Sequence, residues 1–233
     1  LWIATDAGLN VLNLVTEKIV VANGPVGSAR IASVTTVGKG EIWVGTVAGD
    51  LYKWNSHDKE FVKFWTTTVP VTSVARDNKN GIWIGTAGLG LYNYSADESK
   101  GEPQRVSLRG NNITALDVDA NGELWVGTMN GLALYDRENL TFVYFNHSPR
   151  HADSLVDNLI STIFEAKSGI LWVGTFGGGT SRFNLDREWF THIRSNPENP
   201  NGLPHSFVRS LATGKNKRLY LGTDHGIAIW NTE

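Results

Sequence analysis

The side chains of this chain that could do chemistry fall between its regular segments. The stretches 146–158 and 195–206 hold His147, Arg150, His151, Asp153, Asn196, Glu198, Asn199 and His205, and Trp65, Arg109, Phe176, Arg194, Arg209, Asp224 and His225 are expected on or near the same face. Aromatic rings beside planar polar groups are equipped to hold a sugar, by stacking and by bidentate hydrogen bonds. The residues taken forward as ligand contacts are Trp65, Arg109, His147, Arg150, His151, Phe176, Arg194, His205 and Asp224.

Other chemistries find less support. His147 and His151 are four apart, but in a proline-containing stretch that spacing reads as solvated surface and no metal site is expected. Asp77-Asn78-Lys79-Asn80-Gly81 lacks the bidentate glutamate of a calcium loop and reads as a turn. Gly177-Gly178-Gly179 has no helix after it to cradle a phosphate. No serine stands in a nucleophile elbow, and Asp117 and Asp119, on one strand face, do not make a catalytic pair. With no cysteine in the chain, disulfides and thiolate chemistry are excluded. The expectation is binding without turnover and without a cofactor.

The elements that must position these residues are announced by one phrase repeated six times. It reads Leu1-Trp2-Ile3-Ala4-Thr5, Ile42-Trp43-Val44-Gly45-Thr46, Ile82-Trp83-Ile84-Gly85-Thr86, Leu124-Trp125-Val126-Gly127-Thr128, Leu171-Trp172-Val173-Gly174-Thr175 and Leu219-Tyr220-Leu221-Gly222-Thr223. A step of 40–48 residues with an aromatic in every copy is the signature of a β-propeller. Each step contains four β-prone runs, so the phrase is the second strand of a four-stranded blade. First strands are expected near 31–37, 71–77, 112–118, 159–165 and 207–213. Alternation puts Trp and Gly on one face and the aliphatic residues on the other, as a sheet covered on both sides requires. The glycine leaves room for a neighbouring blade.

The two long loops share a frame. Pro149 matches Pro197, Asp153 matches Asn201 and Leu155 matches Leu203, which reads as a repeated structural loop with a buried leucine. The repeats fill residues 1–233, read as a single all-β propeller domain of about six blades, five nearly complete plus partial ends. The first blade lacks its first strand and the sixth its last, so either a blade is missing, as from a seven-bladed propeller, or partner strands stand elsewhere in the parent, and the chain is expected to be a fragment of a larger multi-domain protein. A net charge of −2 without a basic block argues against nucleic acid. No apolar run approaches the about 20 residues of a membrane helix. Four Asn-x-Ser/Thr triplets read as chance matches.

The order first strand, Asp-x-x-Gly, Leu-Trp-Val-Gly-Thr, Gly-Leu and aromatic-Asn/Asp resembles the two-component regulator propeller repeat. The match is clearest from Asp119 to Thr128 with Asn130-Gly131-Leu132 and Tyr135-Asp136, and recurs from Lys167 to Thr175 with Gly177-Gly178-Gly179 and Phe183-Asn184. The last copy departs from it with Tyr220 for Trp, and the first with Ala4 for Gly. The resemblance implies a periplasmic sensor region of an inner-membrane receptor with a histidine kinase, often hybrid, or a diguanylate cyclase as output. It also implies an oligosaccharide ligand, contacts with other domains of the parent receptor, and a homodimer. The alternatives are a protein-interaction scaffold, which the absence of Trp-Asp and Gly-His in register disfavours, and a propeller lyase or glycosidase, for which no acid–base pair is found.

Overall fold

The structure, a computed structural model, describes residues 1–37, 41–95, 101–166, 169–184, 189–196, 198–199, 202–214 and 218–231. Lys167 and Ser168 of the fifth turn, Pro197 and Asn201 of the second long loop, and Lys215 to Lys217 lie outside these residues. Among the described residues, secondary structure is strand apart from one 3-10 turn at Pro25–Gly27. Among these residues no helix is long and apolar enough to cross a membrane.

The chain divides into two compact units, Leu1–Ile113 and Thr114–Glu233. In the first, β1 (Trp2–Thr5), β2 (Gly8–Leu12) and β3 (Ile19–Val21) form a three-stranded sheet. Two four-stranded sheets follow: β4 (Ile31–Val37), β5 (Glu41–Thr46), β6 (Asp50–Asn55) and β7 (Glu60–Thr66), then β8 (Val71–Arg76), β9 (Ile82–Thr86), β10 (Gly90–Tyr94) and β11 (Gln104–Val106). The second unit has the sheet β12 (Ile113–Val118, begun by the last residue of the first unit), β13 (Leu124–Thr128), β14 (Gly131–Asp136) and β15 (Thr141–Phe145). After it come β16 (Ile160–Glu165), β17 (Ile170–Thr175), β18 (Thr180–Asn184) and β19 (Trp189–Ile193), and finally the three strands β20 (Val208–Thr213), β21 (Arg218–Thr223) and β22 (Gly226–Asn231). Each sheet is an antiparallel meander, and the six are the blades of a β-propeller. The expected first strands all form, and the first and last sheets have three strands as anticipated.

Each letter of the repeated phrase has a job. Trp43, Trp83, Trp125 and Trp172 are buried. Ile42 and Val44 pack back on Leu9 and Val26 of the first blade, while Trp43 packs forward on Val71, Val74 and Ile82 of the third. The glycine is a socket for the next blade. A Cβ on Gly45 would lie 2.8 Å from Val71 Cγ1, one on Gly127 2.7 Å from Ile160 Cγ2, and one on Gly174 2.9 Å from Val208 Cγ1. The incoming residue is always the β-branched start of the next inner strand. The threonine closes the turn to the third strand: Thr86, Thr128, Thr175 and Thr223 donate their hydroxyls to the carbonyls of Gly90, Gly131, Gly179 and Gly226 at 2.7–2.9 Å. Gly131, at φ 121°, stands in the left-handed region that a side chain would strain.

The Asp-x-x-Gly turn is coupled to the tryptophan six residues on. Asp119 accepts the amides of Asn121 and Glu123 on one oxygen and the indole N–H of Trp125, at 3.0 Å, on the other. Asp77 does the same for Lys79, Gly81 and Trp83. The sequence has Val37 and Ala166 at the equivalent positions. Accordingly, the indole N–H groups of Trp43 and Trp172 are buried without a hydrogen-bond partner among the described residues.

One regular feature was not anticipated. The inner strands β4, β8, β16 and β20 each carry a bulge against the second strand, after Ile31, Val71, Ile160 and Val208. The extra residue re-aims its side chain. In the fifth blade it is Ser161, whose hydroxyl donates to the carbonyl of Val208 in the sixth.

Candidate functional site

The registers Ile160↔Thr175 and Val208↔Thr223 make the fifth and sixth blades superposable residue by residue. On that alignment Asp157, Leu159, Ser161, Phe176 and Gly177 correspond to His205, Phe207, Arg209, Asp224 and His225. All five of these positions differ, and in the sixth blade the five residues form one cluster, which Phe176 of the fifth blade extends. Stacking and closure are shared by every blade, so a cluster that breaks the repeat is where a specific role would reside.

Arg209 takes the bulge position. In place of the blade-to-blade hydroxyl of Ser161, its guanidinium grips Asp224 through two parallel bonds, Nε to Oδ1 at 2.5 Å and Nη2 to Oδ2 at 3.2 Å. It also lies over the Phe207 ring, 5.7 Å from the centroid. Phe207 meets Phe176 edge-on at 6.4 Å, and the backbones of these two residues form an antiparallel bridge. His205 completes the group, 5.6 Å from the Phe207 ring and 4.5 Å from that of His225. The Phe207 amide donates to His205 Nδ1 at 3.1 Å, so Nδ1 is the acceptor and the proton of the neutral ring sits on Nε2.

The cluster is accessible. Phe176, His205 and Phe207 are half-buried, and Asp224 and His225 are exposed. The bond from Arg209, with its charge and those available to His205 and His225, holds the Asp224 carboxyl below its ordinary range despite an opposing contribution from desolvation. The same bond raises the Arg209 guanidinium. The ion pair is therefore charged, lies among four rings, and is suited to reading a polar ligand with an apolar face.

Of the nine expected contacts, Phe176, His205 and Asp224 come together here. His147 is committed to the loop frame: its Nδ1 is 2.7 Å from the Leu155 carbonyl, and its amide donates to Asn158 Oδ1. That loop is pinned by Val156 N–H to Ser181 Oγ, Phe190 N–H to the Asp153 carbonyl, and His192 Nε2 at 2.7 Å from the Ser154 carbonyl. Leu155 and Leu203 are both buried, as the repeated-plug reading requires. Arg150, His151 and Arg194 are exposed. Trp65 and Arg109 belong to the first unit, where Trp65 packs on the Tyr92 ring at 4.8 Å and Arg109 is exposed. Phe207 was not anticipated. The signal for it was available in the substitution of Leu159 by an aromatic at the matching place, which comparing blade with blade, rather than loop with loop, would have exposed.

Residues 107–130 and 154–177 match the model of the two-component regulator propeller family. Histidine kinase P4 of Formosa agariphila is 26% identical over 215 residues, which are 87% of this chain and 16% of the kinase. Among solved structures, the extracellular domain of a hybrid two-component system from B. thetaiotaomicron superposes with a TM-score of 0.79 at 22% identity, covering 98% of this chain and 31% of that one. Virginiamycin B lyase from Staphylococcus aureus superposes with a TM-score of 0.70 at 14% identity, covering 100% of this chain and 80% of the lyase. The chain thus spans a minor part of the kinase and of the extracellular domain it matches, and the structural likenesses establish the fold.

Proposed function

We propose that this chain, a β-propeller built of two-component regulator propeller repeats, is part of the extracytoplasmic sensor region of a bacterial signalling receptor. Its ligand is an oligosaccharide, bound at the Phe207–Arg209–Asp224 cluster and not turned over. One observation carries the reading: at five positions where the sixth blade departs from the fifth, an ion pair and rings converge on one accessible surface. Sugars are held by rings that cover their C–H faces and by charged planar groups that bridge hydroxyls. The kinship with a histidine kinase and with extracellular domains of two-component systems supports an inner-membrane receptor with the propeller on its outer side. A histidine kinase output follows from the same kinship, and a diguanylate cyclase is the other output of the repeat family. Pairing of two receptors would carry the bound state to that output.

Calorimetric titration of the complete extracytoplasmic region against a panel of oligosaccharides tests the proposal. Binding is expected, weakened about tenfold or more by Phe207→Ala and by Arg209→Ala, as for central aromatic and arginine contacts. Arg150→Ala and His151→Ala should change it less. The reverse order would move the site to the first long loop. Failure to bind any saccharide would sink the ligand class, and formation of cleaved product would favour a lyase or glycosidase.

A further inference from the structure

We infer that Asp117 and Glu165 form a proton-sensitive tie between the fourth and fifth blades, at the end of the sheets remote from the loop cluster. Asp117 lies on β12, and its Oδ2 accepts the amide N–H of Glu165 on β16 at 2.9 Å. Glu165 reaches back, and its Oε2 accepts the amide N–H of Ala120 at 2.6 Å. Each blade thus offers a carboxylate to a backbone amide of the other. The second oxygen of Asp117 accepts the Val118 amide at 3.0 Å.

The cost of this arrangement is that carboxylates are gathered together. Asp119 and Glu123 stand on the fourth blade's own turn, Asp136 and Arg137 at the end of β14, and Glu165 on the facing strand. Asp119 is buried and spent on the Trp125 indole and two turn amides. Arg137 acts on Glu123 and donates to the Gly122 carbonyl at 3.1 Å. Burial is the main cause that raises the Asp117 carboxyl, to about 6; the amides of Glu165 and Val118 oppose it, and the charges of Glu165 and Asp119 add to it. A carboxyl raised in the fold binds its proton more tightly folded than unfolded. Its stabilising contribution is therefore complete below the ordinary carboxylate range and is lost as pH rises through about 6.

The two protonation states differ at the joint. Ionised Asp117 is the stronger acceptor for the Glu165 amide but repels the Glu165 and Asp119 carboxylates. Protonated Asp117 relieves that repulsion and weakens one acceptor oxygen. From the joint, β16 runs back from Glu165 to Ile160, and the residues just before it touch the loop cluster. The Phe176 amide donates to the Leu159 carbonyl at 2.9 Å, and Asp157 lies beside Gly177. The tie stands whether or not the loop cluster binds a saccharide.

Amide NMR of the chain, titrated from about pH 4.5 to about pH 7.5 across the ordinary and raised carboxyl ranges, tests the tie. The amide signals of Glu165 and Ala120 should move together with one midpoint near 6. Asp117→Asn should flatten that step. Glu165→Gln keeps an oxygen for Ala120 but removes the charge, so the midpoint should fall. Amides that stay flat through the range, or a step that persists in Asp117→Asn, would overturn the inference. Should Asp117→Asn not fold, an unmoved midpoint in Glu165→Gln overturns it equally.

Discussion

At the scale of the residue, the pairing of a turn aspartate with a buried tryptophan is the most informative contact. It explains why Asp rather than Asn opens the turn in the third and fourth blades: one oxygen serves two amides while the other receives the indole. Losing the carboxylate strands all three donors, one of them wholly buried. Asp119→Ala should therefore cost about 2–4 kcal/mol, above the loss of one ordinary hydrogen bond. Trp125→Ala should cost about 3–5 kcal/mol, as for other large core aromatics. The converse belongs to the fifth blade, whose turn has the same backbone bonds, Ala166 N–H to Ile170 and Gly169 N–H to Ala166. There Ala166→Asp should stabilise by about 1 kcal/mol by giving the Trp172 indole an acceptor. Urea midpoints of the three variants decide, and a loss of stability in Ala166→Asp would show that the fifth turn cannot admit the carboxylate.

At the scale of the element, the blade joint reduces to a glycine and a β-branched residue. Gly127 has Ile160 against it at 2.7 Å, whereas the nearest atom to a Cβ on Gly222 is the Ser210 hydroxyl of its own blade, at 2.5 Å. The first obstacle is a packed strand and the second a rotatable hydroxyl. Gly127→Ala should cost about 1–3 kcal/mol through overpacking, and Gly222→Ala less than about 1 kcal/mol. Equal costs in thermal melts would mean that the glycine is required for backbone conformation and not for stacking. The joint also shows why element boundaries were legible while bulges were not. Most strands lie between turns whose Gly, Asn or Asp residues are visible in the sequence, but a bulge is decided by how one strand fits the next.

At the scale of the whole molecule, the terminal sheets present apolar surface. Ile227 and Ile229 on β22 are 68% and 57% exposed, and Ile19, Val20 and Val21 of β3 are each 60% exposed or more. In the middle blades the outer strands β7 and β15 each bury one aromatic, Phe61 and Phe142, while Val62 and Val143 beside them are about half exposed. Exposed strands of this kind seek partners. This 233-residue chain, expressed by itself, should self-associate with rising concentration in light scattering, and Ile229→Lys should reduce the association. A sharp cooperative melt from a clean monomer would show that these faces are tolerated.

The architecture was legible along the chain. Six phrases of alternating aromatic, aliphatic and small residues can satisfy their buried faces only by stacking sheets, and that pattern is local, so it can be read along the chain. The long-loop frame was legible too, because Leu155 and Leu203 recur at matching places and both are buried. The tertiary structure decided which polar residues meet. His147 turned into its own loop because a carbonyl of that loop lies 2.7 Å from its ring, while Phe207, Arg209 and Asp224 converged because a bulge re-aims Arg209 toward a turn 15 residues away. Asp117 found Glu165 across a blade joint 48 residues distant. Residues at such separations are brought together by the packing of sheets, and spacing along one strand carries no record of it.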